Sequence, residues 1–360
     1  MLKHCLIFLF LFISNLINAQ DISMGGSKGG KAGGNDSLDK NFTFLPLPYI
    51  NYNRSTGFSI GAIPMAMYKL NREDTISPAS ISGLVGVYTT NKTWFAMFFQ
   101  QLYFKEDTWR ITSAGGLGSY NFQFFIDYPY NTYIDYSTDM VFFYLNVNRK
   151  LFAELYGGIH YTYMKFDTRI ADLPTSKETE QHGTGIILSY DERSDVYYPR
   201  KGFISNANWS TYPAFMGNPD PSNKIDIDHN HFFSSRKDKD VIALRAKIGV
   251  GLGNLAFEQQ FIIGRNDIRG YTEGKYRGNQ MLAIQGEYRW NFYKKMSAVG
   301  FFGLASIFSS NNSSQNGEIL PGIGCGLRYT VAEEYHMNVG FDIAVGKDDW
   351  GFYFRVGEAF

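Results

Sequence analysis

Hydrolytic or metal-assisted catalysis needs a nucleophile, a base and an orienting group within reach of one another. Beyond Ala19 the chain offers His160, His182, His229, His231 and His336, none beside a recognisable nucleophile motif, so no enzymatic activity is expected. His229 and His231 share one face of an expected strand, a spacing open to a metal ion. Their neighbours Asp228, Asn230 and Phe232-Phe233 instead fit polar residues at the level of a membrane interface, and no metal site is expected. Asp226 and Asp228 fit a solvated inner face better than a catalytic pair. Gly25, Gly30 and Lys31 have the spacing of a phosphate-binding loop, but Ala32 stands where the magnesium-binding hydroxyl belongs and no strand precedes it. No cofactor follows from these residues. The remaining candidate is Ile268-Arg269-Gly270-Tyr271, an arginine-bearing tetrapeptide in a long insertion whose chemistry is that of a charged clamp.

Two stretches of period-two alternation flank that insertion. Ile242, Leu244, Ala246, Ile248, Val250 and Leu252 face one way, and Ala243, Arg245, Lys247, Gly249 and Gly251 the other. After the insertion, Leu282, Ile284, Tyr288 and Trp290 oppose Ala283, Gln285, Glu287 and Arg289. Strand side chains alternate faces, so each stretch has an apolar face suited to lipid and a charged or small face suited to a wet lumen. Both are close to the roughly 9–11 residues that cross a bilayer as a tilted strand. An arginine in the connecting loop can then fold inward against Glu287 instead of lying in solvent.

Composition points the same way. Aromatic residues reach 17%, with 25 Tyr and 31 Phe, charged residues fall to 19%, and there are 37 glycines. A membrane barrel uses aromatic girdles at both interfaces and glycine where strands bend. A net charge of zero excludes the basic footprint of a nucleic-acid binder. Residues 1–19 read as a signal peptide: Lys3 supplies the positive start, Cys5 to Ile13 the apolar core, and Asn18-Ala19-Gln20 the cleavage site. Residues 20–41 are a flexible Gly-rich segment, and 42–360 form the expected barrel domain. Once the signal is removed only Cys325 remains, which excludes an intrachain disulfide. An exported chain with alternating strands and no long apolar helix is expected to be an integral protein of the bacterial outer membrane, in contact with its lipids.

Turn signals from Leu45 onward divide the chain into an antiparallel meander. Strands are expected near 46–53, 57–69, 79–89, 93–104, 108–119, 138–148, 152–166, 181–190, 202–212, 225–234, 240–252, 279–290, 296–308, 320–330, 335–346 and 350–360. That is about sixteen, the even number of an all-β transmembrane antiparallel barrel. Counting from a periplasmic start puts the segments 120–137, 167–180, 213–224, 253–278 and 309–319 outside the cell. The short connections at Arg149-Lys150, Arg236 to Lys239 and Asn291 to Lys295 fall on the periplasmic side, with one longer turn there from Asp191 to Lys201.

Three motifs in order resemble the BamA/TamA superfamily of outer-membrane assembly and translocation barrels, also called bacterial surface antigens. Ile268-Arg269-Gly270-Tyr271 is similar to that family's V/I-R-G-F/Y loop. Asp191-Glu192-Arg193, followed by Tyr198-Pro199-Arg200-Lys201-Gly202, resembles its periplasmic D-x-R…YP-x-x-G turn. Phe352-Tyr353-Phe354-Arg355-Val356-Gly357-Glu358-Ala359-Phe360 resembles its closing strand, the terminal-strand signal, with Phe352, Phe354, Val356 and Phe360 on one face. The resemblance implies a sixteen-stranded barrel whose sixth extracellular loop folds inward and anchors its arginine on the lumen wall. Glu287 is the leading expected partner of Arg269. The family's second acid, in an F-x-D-x-G pattern, is absent: the matching stretch is Phe301-Phe302-Gly303-Leu304-Ala305, and Asp342 is the candidate substitute.

The resemblance also implies a role in inserting or translocating proteins, with the seam between first and last strands opening sideways. The family's periplasmic POTRA domains have no counterpart before the expected first strand. Periplasmic or outer-membrane protein partners would then stand in for them, and the chain would itself be a client of the barrel-assembly machinery. The alternative is a passive channel or surface-structural barrel that keeps the fold without polypeptide transport. A third class is a surface adhesin or enzyme acting through the outer loops.

Overall fold

The computed structural model describes residues 42–53, 57–126, 132–170, 176–256, 259–264, 267–272 and 275–360. The expected signal peptide, the Gly-rich segment and the Gly25–Lys31 motif lie outside these residues. In chain order the strands are β1 Phe42–Asn53, β2 Gly57–Tyr68, β3 Ser80–Thr89, β4 Trp94–Phe104, β5 Trp109–Ile126, β6 Thr132–Phe152, β7 Leu155–Ile170, β8 Ser176–Asp191 and β9 Gly202–Tyr212. There follow β10 Ser222–Ser235, β11 Asp240–Gly253, the two-residue strands β12 Phe261–Ile262 and β13 Arg277–Gly278, β14 Gln280–Tyr293, β15 Met296–Phe308, β16 Leu320–Ala332, β17 Met337–Gly346 and β18 Asp349–Val356. All but β12 and β13 close into one antiparallel barrel of sixteen strands, and those two form a small hairpin inside the 254–279 insertion.

The alternation read from β11 and β14 sets their two faces. Ile242, Leu244, Ile248, Leu282, Ile284 and Trp290 are exposed on the outer wall, while Arg245, Gln285, Glu287 and Arg289 are buried inside. Register holds those faces together: Ala243 pairs with Glu287 and Arg245 with Gln285. Sliding either strand by one residue would turn every charge toward lipid. The insertion is the sixth connection on its end of the barrel, after those between β1 and β2, β3 and β4, β5 and β6, β7 and β8, and β9 and β10.

Several strands outrun their expected limits, β5, β6 and β8 by the most. β6 is 21 residues long and β5 is 18, so most of 120–137 and 167–180 is paired strand rather than loop. The outer face of this extension carries Asp139, Lys165, Asp167, Arg169, Glu178 and Glu180, with Arg169 bound to Asp139 and Lys165 to Glu178. At ~3.3 Å per residue these strands rise well beyond an apolar band of ~25 Å, and above it the outer face turns polar. The apolar alternation that marks a membrane strand is therefore lost there, although the backbone pairing continues. Arg149 and Lys150 likewise belong to β6, and the turn falls at Ala153-Glu154. The closing strand also differs from 350–360: it stops at Val356.

The lumen has two halves. Met65, Met67, Ile81, Val87, Phe99 and Phe166 belong to one apolar cluster on the inner faces of β2, β3, β4 and β7. The inner faces of β14, β16 and β17 instead hold Glu287, Arg289, Arg328 and Asp342, all essentially inaccessible to solvent. The seam lies beside the charged half. β1 pairs with β2 along its whole length, from Phe42↔Tyr68 to Asn53↔Gly57, and β18 pairs with β17 from Val339↔Val356 to Gly346↔Asp349. Between β1 and β18 the register has one pair among the described residues, Tyr52↔Phe352. Two aromatic contacts supplement it, Tyr52 stacked on Trp350 and Tyr49 edge-on to Phe354.

Candidate functional site

Arg269 is brought to its position by a segment that buries its own flanks. Ile268 and Tyr271 pack with Phe261, Ile263 and Tyr276 of the insertion and with Met281, Ala283, Ala305, Ile307 and Leu320 of the barrel strands. Gly270 between them has φ +106°, and a Cβ there would meet the carbonyl carbon of Val345 at 2.6 Å. Only glycine supplies that turn without strain. The backbone N–H of Gly270 donates to the Tyr353 hydroxyl at 2.9 Å. The Tyr271 hydroxyl donates to the Pro321 carbonyl at 2.6 Å and accepts from the Lys347 N–H at 3.0 Å. Thr272 donates through its N–H and its hydroxyl to the two oxygens of Asp349, at 2.7 and 3.0 Å.

The Arg269 guanidinium has two carboxylate partners. Nη2 lies 2.7 Å from Glu287 Oε2, and Nη1 lies 2.6 Å from Asp342 Oδ2. The Phe301 ring sits beneath it, with its centroid 3.2 Å from Cζ. Charge-assisted bonds to two carboxylates and an aromatic face are the surroundings in which a dehydrated arginine is tolerated. Phe301 comes from the stretch at which the family resemblance implies a second acid. Gly303 carries no acid, and a Cβ there would meet the Ile284 carbonyl oxygen at 2.8 Å; Asp342, two strands further on, supplies a carboxylate to Arg269.

That relocation changes what the clamp touches. Asp342 Oδ1 also accepts from Arg328 Nη1 at 2.6 Å, and Oδ2 from Arg355 Nε of the last strand at 2.7 Å. Glu287 Oε1 accepts from Arg289 Nε at 2.9 Å, and Glu358 Oε2 from Arg328 Nε at 3.2 Å. The cluster thus links the insertion to β14, β16, β17 and β18. Sequence reasoning did not assign Arg289, Arg328, Arg355 or Glu358 to it. Alternation placed Arg289 on the inner face, and the same parity applied to Leu327, Arg328 and Tyr329 would have flagged Arg328. Glu358 gave no such signal, because it lies beyond the last paired residue.

The turn motif forms a second assembly. Arg193 binds Asp191 with two parallel bonds, at 2.8 and 3.0 Å. Arg110 Nη1 reaches the same carboxylate at 2.9 Å while its other nitrogens grip Asp107, and its Cζ lies 3.7 Å from the Tyr156 ring centroid. Tyr197 donates to the Ala79 carbonyl at 3.0 Å, and the Tyr198 hydroxyl accepts from Asn291 at 2.9 Å. Pro199 is buried between them and the exposed Arg200, and Gly202 opens β9. The turn 192–201 therefore touches distant parts of the barrel rim.

One of those contacts is pH-sensitive. His336 Nδ1 lies 2.7 Å from Asp195 Oδ2, and this hydrogen bond raises the imidazole above its ordinary value, against the opposing pulls of partial burial and Arg200. A histidine whose folded value is raised adds stability in full below its unfolded value and loses it as pH rises through the folded one. Protease cleavage within 192–201 is therefore expected to be slowest near pH ~5.5 and to quicken as pH rises past roughly 6.5. His336→Gln should flatten that dependence. A cleavage rate with the same pH profile in both chains would remove His336 from this role.

Of the expected terminal residues, Phe352 stacks on Phe341 and Phe354 packs against it at a tilt, on the outer wall. Phe360 does not join them. Gly357 turns at φ +81° and Phe360 is buried inside the barrel against Tyr198, Ile204, Phe232, Val241 and Ala243. His229 and His231 sit on the outer face of β10, His229 bonded to the Ser205 hydroxyl at 2.7 Å and His231 stacked on Phe233.

Comparison with known proteins adds the family. Residues 79–360 match the Omp85 superfamily domain. In structure the chain is similar to CdiB from Escherichia coli, with a TM-score of 0.65 and 12% identity, covering 89% of this chain and 63% of that one. CdiB from Acinetobacter baumannii gives a TM-score of 0.60 and 14% identity, covering 89% and 60%. BamA from Haemophilus ducreyi lacking POTRA domains 1–3 gives 0.57 and 12%, covering 88% and 70%. The chain thus spans under two thirds of either CdiB chain. No curated protein sequence matches it.

Proposed function

The chain belongs to the Omp85 superfamily, as an integral β-barrel of the outer membrane, and on that premise we propose that it inserts or translocates proteins there with separately encoded partners. The observation that carries this reading is the contrast between the seam and the clamp. Among the described residues β1 and β18 share one register pair, whereas β18 is tied from inside through Asp342, Asp349 and Tyr353. A barrel that only conducts solutes has no use for a single weak join beside a rigid inner brace. Parting β1 from β18 breaks little pairing and exposes two strand edges inside the bilayer, where unpaired backbone groups are costly and a client strand can satisfy them.

In this mechanism the sixth loop faces the cell exterior and folds back into the lumen, with Arg269 as its anchor on Glu287 and Asp342. The loop closes the lumen while the seam parts, so that cargo can move without a standing leak. The turn 192–201 faces the periplasm, where partners would dock. Depletion of the protein is expected to lower the levels of other outer-membrane or secreted proteins. An unchanged outer-membrane and secreted proteome would contradict the proposal. A steady open pore in planar bilayers, unaltered by Arg269→Ala, would favour a passive channel.

A further inference from the structure

The segment Gly357–Phe360 belongs to no strand, yet each of its residues is buried. Pairing of β18 with β17 ends at Val356↔Val339, and Gly357 then turns into the lumen with its N–H on the Asn338 carbonyl at 2.7 Å. Four residues reach at most roughly 14 Å, and the segment uses that reach to contact the inner faces of β9, β10 and β11. Glu358 engages both carboxylate oxygens. Oε1 accepts from Asn338 Nδ2 at 2.7 Å and Oε2 from Arg328 Nε at 3.2 Å, with Arg289 Nε 3.7 Å away. The Phe360 main-chain oxygen accepts from Arg289 Nη2 at 2.6 Å, and the Phe360 ring fills the apolar recess beside Tyr198 and Phe232.

Two features mark this as a binding site rather than simple packing. Its walls stand without the segment, since Arg289 is also held by Glu287 and Arg328 by Asp342. It also has donors to spare: Arg289 Nη1 and Arg328 Nη2 are buried with no hydrogen-bond partner among the described residues. A buried donor left unpaired is costly, so the site favours an occupant at least as rich in anionic oxygen as the present one. We infer that this lumenal surface is a peptide-binding site for a segment carrying a carboxylate two residues before an aromatic ring, and that Glu358–Phe360 is its tethered occupant. The inference stands on the lumenal geometry and does not depend on the transport reading. Withdrawal of the segment breaks no strand pairing, because the pairing of β18 with β17 already ends at Val356.

A short tether holds its ligand at an effective concentration in the millimolar range, so a free peptide competes poorly until the tethered one is disabled. The test uses the full chain in detergent micelles and a Gly-Glu-Ala-Phe peptide labelled at its amino end, read by fluorescence anisotropy. Glu358→Ala with Phe360→Ala is expected to bind the peptide at least about tenfold more tightly than the unaltered chain. Replacing the peptide's Glu by Gln should cost at least about tenfold, the scale of a lost charge-assisted bond. Equal binding by the two chains, or by the two peptides, would overturn the inference. If the double variant does not fold, a photoreactive phenylalanine analogue at position 360 serves instead. Its crosslink to the β9–β11 wall should fall when the unlabelled peptide is added at millimolar levels, and a crosslink unchanged at that concentration would overturn the site.

Discussion

Arg269→Ala is expected to destabilise the barrel by about 3–5 kcal/mol, the cost of removing one partner from a buried ion pair. The magnitude follows from what is left behind. Glu287 and Asp342 are both essentially inaccessible to solvent, and each would lose a bond of 2.6–2.7 Å. The Phe301 ring would face the vacated volume. Arg269→Lys keeps the charge, but a single ammonium cannot place two separated donors on two carboxylates, so it should recover less than half of the loss. Urea unfolding in detergent micelles measures the stability, and protease cleavage within 254–279 reports whether the segment has come free. A loss below about 1 kcal/mol with no new cleavage would mean that Arg269 behaves as an exposed pair does.

Asp342→Asn is expected to cost at least as much as Arg269→Ala and to act on a different element. The carboxylate joins Arg269, Arg328 and Arg355, so its neutralisation leaves three guanidinium groups facing one another with less compensation. Repulsion among them falls on β18, through Arg355, as well as on the insertion. The variant should therefore loosen the seam strand, which Glu287→Gln, acting on β14, should not. Because Arg269 and Asp342 share one network, the double variant should fall short of the sum of the single effects, with a coupling of ~1–3 kcal/mol. Additive losses would separate the insertion from the seam and remove the link on which the mechanism depends.

The parts of this molecule that could be read from its residues are those where one face meets lipid and the other does not. β11 and β14 are such strands, and alternation alone placed Glu287 and Arg289 inside. β3 and β4 are apolar on both faces, with Leu84 and Phe98 outside and Val85 and Phe99 within, so their periodicity says little about orientation or about an apolar half of the lumen. The upper reaches of β5–β8 leave the bilayer and become polar outside, which removes the signal though not the strand. Asp342 was legible as an inward acid but its reach to Arg269 was not, since that depends on where a loop crosses the lumen. The inward turn at Gly357 was hidden for a related reason. A run ending in alternating aromatics reads as continuous strand, and what diverts it is the pull of Arg289, Arg328 and an aromatic recess contributed by distant strands.

The seam itself supplies the most direct test of the proposed activity. Tyr52 and Phe352 are direct partners across it, and cross-strand partners have Cβ atoms ~4.5–5.5 Å apart, within a small adjustment of disulfide geometry. A chain carrying Tyr52→Cys and Phe352→Cys, with Cys325→Ala to remove the native thiol of β16, can be locked by oxidation and released by reductant. In cells depleted of the native protein, the account predicts that the locked form fails to restore outer-membrane and secreted proteins and that reduction restores them. Full restoration by a form shown to be crosslinked would contradict it.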